Sequence, residues 1–204
     1  MIALFLSAFV TLFLVIDPPG CAPIFAGLTK NATAPHRRAM AIRSTLVASA
    51  VLLMFALVGE ALLQQLGISL DAFRIAGGIM LFLIALEMVF EKRTQRREHR
   101  AAEVDPSYED ISIFPMAIPM IAGPGAIATI MLLVGRSNGI AETLVVLAAL
   151  AATMILMLLS LLAAGAIMRV LGPKLEAMIT RMLGVILAAL ATQFVIDGVK
   201  ASFS

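Results

Sequence analysis

Long apolar stretches recur along this chain, and they constrain its fold more than any other feature. They occupy roughly residues 2–28, 40–63, 70–91, 113–135, 143–168 and 176–197. A helix of about 20 apolar residues can cross the hydrocarbon core of a bilayer. Only 14% of the residues are charged and 61% are hydrophobic, whereas a soluble domain carries about 25% charged residues. The sequence therefore predicts an all-α membrane protein with six transmembrane helices and excludes a soluble enzyme.

A hydrophilic segment of mixed charge, residues 92–112, divides the chain near its middle. It contains few apolar residues, so we expect a charged loop that is not buried. The flanking halves, 1–91 and 113–204, each contain three of the predicted helices. The domain organisation predicted from sequence is thus one three-helix unit, a loop and a second three-helix unit.

The two halves resemble each other when one is shifted by about 105 residues. Pro19-Gly20 then aligns with Pro124-Gly125, and with two further residues inserted Arg74 aligns with Arg181. A unit with an odd number of helices must enter the membrane from the opposite side when it is repeated in one chain. The sequence therefore predicts two inverted three-helix repeats.

The positive charges predict the orientation, because Lys and Arg are enriched in cytoplasmic loops. With the N-terminus outside, 12 of the 15 Lys and Arg residues lie on the inner side, and Arg74, Arg136 and Lys200 lie outside. We therefore expect a multi-pass protein of the bacterial inner membrane with both termini periplasmic and the central loop cytoplasmic. The net charge of +2 reflects this topology, so nucleic acid is not an expected partner.

Helix-breaking residues are concentrated in the first and fourth spans. Six of the nine prolines lie there, at positions 18, 19, 23, 115, 119 and 124. A proline in a helix interior removes a backbone donor and costs about 3 kcal/mol. Irregular backbone at membrane depth is tolerated only where protein or a wet cavity surrounds it. The first and fourth helices are therefore predicted to be broken and buried.

The residues at each break indicate where a helix restarts. Asp17 followed by Pro18 fits an N-cap and the first helical position, and Gly123-Pro124 fits the same two positions in the second half. In inverted repeats the two new N-termini approach each other, each with free N–H groups and about half a positive charge. Corresponding broken helices mark the binding site of a secondary transporter. Such a site suits a small anionic group such as a carboxylate, and the free carbonyls of the preceding half-helices suit an ammonium or a cation.

The candidate substrate-binding residues lie at these two breaks. They are Asp17, Pro18, Pro19, Gly20, Cys21, Gly123, Pro124, Gly125 and Thr129. Asp17 is the strongest candidate, because Ala122 takes its place in the other repeat and the fold does not demand a carboxylate there; the alternative role is a simple N-cap. Thr129 lies one turn beyond the second break.

Three acidic residues in or near the spans are candidates for ion coupling, namely Asp17, Glu60 and Glu87. Acidic side chains within membrane spans are rare and are usually functional. Glu60 and Glu87 lie near helix ends, so the alternative is that they only reach interfacial water. A proton or a sodium ion is the coupling ion that we would expect.

The predicted membrane spans contain no histidine and a single cysteine. His36 and His99 both lie in loops, and Cys21 is the single cysteine. Intramembrane proteases that depend on histidine, and zinc sites built from cysteines, therefore lack necessary groups. We expect no enzymatic activity, no cofactor and no metal site.

The segments DPPGCAPIF at 17–25 and IPMIAGPGAIATI at 118–130 resemble those of the MarC family of membrane proteins, which includes the transporter SnatA. The resemblance covers nearly the whole chain. It implies transport of small neutral amino acids such as glycine or alanine, coupled to an ion. Cys21 stands where family members usually have asparagine.

Two alternatives to a secondary transporter remain open from the residues alone. One is a scaffold or assembly factor whose broken helices merely pack, and the other is a channel for small solutes. Membrane lipid and a small-molecule substrate are the expected partners. The direction of transport and the oligomeric state are left open, an oligomer included.

Overall fold

A computed structural model describes residues 1–102 and 110–203. In this part of the chain the structure is helical, with no strand. The helices are α1 (Ile2–Ile16), α2 (Pro18–Leu28), α3 (Ala34–Gln65), α4 (Leu70–Val89), α5 (Lys92–Ala102), the proline segment (Ser112–Ile121), α6 (Pro124–Gly135), α7 (Ile140–Leu162) and α8 (Ala164–Ser202).

The predicted spans correspond closely to these helices. Among the described residues, five helical stretches are long and apolar enough to cross a membrane. The number is six when the proline segment and α6, which are bent by 54° relative to each other, are counted as one span. The all-helical membrane fold is therefore confirmed, and the count of six holds when this bent pair is one span.

The first span is interrupted at one residue, and α1 and α2 together form one stretch of 27 residues, Ile2–Leu28. Asp17 separates them with a left-handed backbone (φ 61°). In the fourth span, Phe114 and Ile118 are extended, as residues before proline usually are. The proline segment has wide turns, in which the N–H of Ala122 donates to the carbonyl of Ala117 (2.9 Å).

The interrupted helices lie at the centre of the molecule. In α6 almost every side chain from Ala126 to Leu133 is buried, and in the first span Leu12, Ile16 and Phe25 have no exposed surface or almost none. By contrast, α3 exposes Leu46 and Leu57, which suits a face in contact with lipid chains. The prediction that the broken helices are buried holds for α6 and for the residues around the first break, whereas the start of α1 (Ile2, 79% exposed) and Phe114 (58%) are exposed.

Helix α4 packs along α8 through glycines. A Cβ atom on Gly78 would lie 2.9 Å from the carbonyl oxygen of Ala191, and one on Gly184 would lie 3.1 Å from that of Ala85. Small residues let helix backbones approach closely in membranes, where van der Waals packing drives association. This close packing fixes the position of α4, the helix that precedes α5 in the chain.

The expectation that segment 92–112 is not buried is wrong for part of it. Residues 103–109 lie outside the described residues, but 92–102 form α5, in which Arg93 and Arg97 are 7% and 6% exposed. These two arginines are one turn apart and therefore share one helix face. The average composition of the segment does not reveal this buried face. The two arginines are buried because their partners are polar groups at the break of the first span.

Replacing Gly78 by alanine should lower the free energy of unfolding by about 1–3 kcal/mol, because the new methyl group must push α4 away from α8. Chemical unfolding of the purified protein in detergent measures this. Gly27→Ala is the matched control, since a Cβ there meets nothing within 4 Å. The control should be neutral or slightly stabilising, and equal stability of both variants would contradict the packing role of Gly78.

Candidate functional site

The break in the first span is stabilised by its own side chains. The backbone N–H of Gly20 donates to Oδ1 of Asp17 (3.1 Å), so Asp17 caps α2, with Pro18 at the first helical position. The capping role predicted from the Asp-Pro pair is therefore confirmed. Pro19 is partly exposed, whereas Pro18, Gly20 and Cys21 are buried.

The last carbonyl groups of α1 need donors from elsewhere, because Pro18 and Pro19 have no N–H. Arg93 on α5 supplies one, donating from Nη2 to the carbonyl of Val15 (2.6 Å). The thiol of Cys21 faces the carbonyl of Ile16 with an S–O distance of 3.7 Å. The guanidinium thus replaces the backbone hydrogen bond that Pro19 cannot donate to Val15, whereas the thiol faces a carbonyl whose helical donor, the N–H of Gly20, is used by Asp17.

Asp17 also forms a buried ion pair with α5. Its Oδ2 lies 2.8 Å from Nη1 of Arg97, and the two side chains are 1% and 7% exposed. Gly20 makes room for this arginine, since a Cβ there would lie 2.9 Å from Nη1 of Arg97. Because both charges are removed from water, each depends on the other for compensation.

The second break differs from the first at its helix start. Gly123 is the N-cap residue of α6 and Pro124 occupies the first turn, as predicted, but no side chain caps this N-terminus. The first N–H groups of a helix have no partner within the helix. A Cβ on Gly123 would lie 2.6 Å from the carbonyl oxygen of Pro119, so only glycine allows this tight turn.

The two breaks meet beside a cavity of about 260 Å³. Its walls come from α4, from α5, from Val15 of α1 and from the second break, where the lining residues are Pro119, Met120, Ile121, Gly123, Pro124, Gly125 and Ala126. Val15 also lies against the second break, 3.6 Å from where a Cβ on Gly125 would be. The cavity therefore adjoins both interruptions of the transmembrane helices.

The polar wall of this cavity is formed by Glu87 of α4 and by Arg93, Arg96 and Arg97 of α5. Glu87 and Arg96 form a two-pronged ion pair, with distances of 2.7 Å (Nη1–Oε1) and 2.6 Å (Nη2–Oε2). Both are partly exposed, with side-chain exposures of 28% and 48%. Exposed ion pairs contribute little to stability, so this pair can open at small energetic cost.

The candidate residues from the sequence divide into two groups. Gly123, Pro124, Gly125 and Glu87 line the cavity, whereas Asp17, Pro18, Pro19, Gly20 and Cys21 lie at the first break beside it without forming its wall. The buried hydroxyl of Thr129 donates to the carbonyl of Gly125 (2.7 Å) and is not part of the wall. Glu60 is exposed and accepts a hydrogen bond from Gln64 (3.3 Å).

Sequence reasoning missed the three arginines of α5. Their signal was the spacing of Arg93 and Arg97, which puts two cations on one helix face. A second signal was the proline pair, since the carbonyls that it leaves without donors must find them elsewhere. Within the described ranges, no three His, Cys, Asp or Glu side chains are placed to hold a metal ion.

Removing one partner of the Asp17–Arg97 pair should destabilise the protein by about 3–5 kcal/mol, because a buried charge is left uncompensated. Asp17→Asn keeps an oxygen for the Gly20 N–H, and Arg97→Met keeps the length of the side chain. The double variant should lose clearly less than the sum of the two single losses. Unfolding free energies in detergent, combined in a double-mutant cycle, measure the coupling.

The control cycle uses Arg43 and Asp110, which form an ion pair with exposures of 56% and 35%. Exposed pairs typically couple by about 0–1 kcal/mol. If Asp17–Arg97 couples no more strongly than this control, the buried pair does not hold α5 in place.

Comparison with known proteins identifies relatives of the chain. A sequence model described as "MarC family integral membrane protein" matches residues 2–203. The chain is 38% identical over 152 residues to UPF0056 membrane protein MJ1677 of Methanocaldococcus jannaschii, covering 74% of this chain and 73% of the relative. It is 35% identical over 158 residues to UPF0056 membrane protein YvbG of Bacillus subtilis, with coverage of 76% and 75%.

A third relative carries a more specific location in its name. The chain is 40% identical over 128 residues to UPF0056 inner membrane protein YhgN of Escherichia coli K12, covering 63% of this chain and 62% of the relative. No solved structure matches the chain significantly.

Proposed function

The chain belongs to the MarC family of integral membrane proteins, and we propose that it is a secondary transporter of small neutral amino acids or similar small solutes. In this proposal the protein works by alternating access around the two breaks and is not an enzyme. The observation that carries the proposal is the cavity of about 260 Å³ that adjoins both breaks. Discontinuous helices that surround a small polar cavity are typical of secondary transporters.

The size of the cavity supports a small substrate. Pockets for drug-sized ligands have volumes of about 300–1,000 Å³, and this cavity is smaller. Its wall combines apolar side chains such as Met80 and Leu83 with Glu87 and the arginines of α5. A small molecule that carries both charges, such as glycine or alanine, fits a wall with both a carboxylate and guanidinium groups.

Inverted repeats are part of the proposal, and the helix contacts support them. Under exchange of the two halves, α1 corresponds to the proline segment, α2 to α6, α3 to α7 and α4 to α8. The contact of α1 with α7 then corresponds to that of the proline segment with α3, and the contact of α2 with α8 corresponds to that of α6 with α4. The α4–α8 and α3–α7 contacts correspond to themselves.

Ion coupling in this proposal uses acids next to the cavity. Glu87 faces the cavity directly, and Asp17 holds Arg97, whose side chain forms part of the wall. Binding of a proton or a sodium ion at either acid would weaken its attraction to its arginine. Glu60, which is exposed and does not line the cavity, has no role in this scheme.

Transport should appear as saturable counterflow of labelled glycine or alanine into proteoliposomes that contain the purified protein. Gly125→Leu should reduce counterflow at least about tenfold, because its side chain would collide with Ile84 and fill the cavity. Gly27→Leu, at an exposed helical position with open space, should leave counterflow unchanged. Unfolding curves of both variants confirm that they are folded.

Other outcomes of the same measurement would support the alternatives. Flux that does not saturate and shows no counterflow would indicate a channel. Folded protein without any flux of these solutes would indicate a scaffold or an assembly factor.

The proposed orientation places both termini in the periplasm of a bacterial inner membrane and α5 on the cytoplasmic side. A reporter enzyme that is active only in the cytoplasm should therefore be inactive when fused after Ser204. The same reporter inserted after Ala102, following α5, should be active. The reverse pattern would contradict this orientation, and activity at both positions would contradict the inverted arrangement.

A further inference from the structure

Helix α5 contains no apolar side chain between residues 92 and 99. Helices are normally held in a fold by the apolar surface that they bury. Residues 92–99 lack this contribution, although Arg93 and Arg97 are buried. Segments with few buried apolar contacts open locally at a lower free energy than the rest of a fold. These turns of α5 can therefore leave their position without exposing apolar side chains of their own.

The joint between α4 and α5 has the form of a hinge. Helix α4 ends at Val89, α5 begins at Lys92, and Glu91 between them has a left-handed backbone (φ 60°). This conformation is unfavourable for a residue with a side chain, so the contacts that α5 makes must maintain it. Lids move through backbone changes at a few residues at the ends of such elements. A backbone change at Glu91 alone would swing α5 as a unit.

Two layers of contacts hold α5 beside the cavity. The inner layer is buried, and in it Arg97 pairs with Asp17 while Arg93 donates to a backbone carbonyl of α1. The outer layer is the ion pair of Arg96 with Glu87, whose side chains are 48% and 28% exposed. Exposed ion pairs contribute little to stability. The outer pair is thus a weak latch, and the inner contacts define the closed position of α5.

Helix α5 forms one side of the cavity and also covers the first break. Arg93, Arg96 and Arg97 all line the cavity. A Cβ atom on Gly20 would lie 2.9 Å from Nη1 of Arg97, so this arginine lies directly on the first turn of α2. Movement of α5 away from the first break would therefore widen the cavity and uncover this turn.

We propose that α5 is a lid on the cavity, hinged at Glu91 and latched by the ion pair of Glu87 with Arg96. The structure shows the lid closed. Its opening joins the cavity to the side of the membrane on which α5 lies, and its closing restores the buried contacts of Arg93 and Arg97. That a solute passes beneath the lid rests on the transport function proposed above, whereas the opening itself does not.

Cys21 is a native reporter of this movement. It is the single cysteine of the chain, has no exposed surface and follows Gly20, on which Arg97 lies. The rate at which N-ethylmaleimide modifies the purified protein in detergent, followed by mass spectrometry, measures how often Cys21 is uncovered. Below the unfolding transition this rate should be nearly independent of denaturant concentration, because opening of a lid exposes little surface. Modification through global unfolding would instead rise with the full slope of the unfolding curve.

A variant of the latch tests the role of the outer ion pair. Arg96→Gln removes the pair with Glu87 and should raise the rate of Cys21 modification about two- to fivefold, with little change in the unfolding midpoint. Arg43→Gln is the matched control, since it removes the exposed ion pair with Asp110, in which α5 takes no part. This control should be modified at the native rate.

Two variants at one position test the hinge. Glu91→Ala and Glu91→Asn both remove the ion pair with Arg181 (2.5 Å), so they differ in backbone preference. Asparagine adopts the left-handed conformation more readily than alanine and should keep the lid closed for more of the time. Below the unfolding transition, Cys21 of the alanine variant should be modified about three- to tenfold faster than that of the asparagine variant.

Three results would overturn the inference. They are modification of Cys21 that follows global unfolding at every denaturant concentration, Arg96→Gln protein that is modified at the native rate, and equal rates for the two variants of Glu91. Saturable alanine flux together with any of these results would reject the lid and leave the transport function standing. Modification through an opening lid, without flux in proteoliposomes, would do the reverse.

Discussion

Pro18 and Pro19 leave carbonyl groups of α1 without backbone donors. The structure around the first break is organised by the need to supply hydrogen bonds to these groups. In a membrane, each such group must find a protein partner or water. Arg93 reaches the carbonyl of Val15, which Pro19 cannot serve. The Cys21 thiol lies near the carbonyl of Ile16, whose helical donor, the N–H of Gly20, caps onto Asp17 instead. Because the donor at Val15 comes from α5, the helix is drawn against the break, and a hydrophilic segment becomes part of the protein interior.

The two breaks share a plan and differ in one side chain. Both have a proline in the first turn of the new helix, but Asp17 caps α2 while α6 begins without a side-chain cap. At the first break the acid caps α2 through Gly20 and pairs with Arg97 of α5. The second break opens onto the cavity. Asymmetry between related breaks thus separates a structural role from a candidate binding role.

The parts of the fold that depend on local rules could be predicted from the sequence. Apolar length gives the spans, and the Asp17-Pro18 and Gly123-Pro124 pairs give the two helix starts. The burial of Arg93 and Arg97 could not be predicted in this way, because it depends on the carbonyl of Val15 and the carboxylate of Asp17, which lie 78 and 80 residues away in the chain. Thr129 was chosen for its place one turn past the break, but its hydroxyl donates to the Gly125 carbonyl one turn back in its own helix. Which side chains share a cavity is a property of packing between helices.

The contact between α5 and the first break has a consequence for water. Any state of the protein in which α5 moves away leaves the carboxylate of Asp17 without Arg97 and the carbonyl of Val15 without Arg93. Such groups are too costly to leave bare in a low-dielectric interior. Water must therefore enter as α5 moves away. The hydration of Asp17 thus reports the position of α5, a helix rich in charged residues.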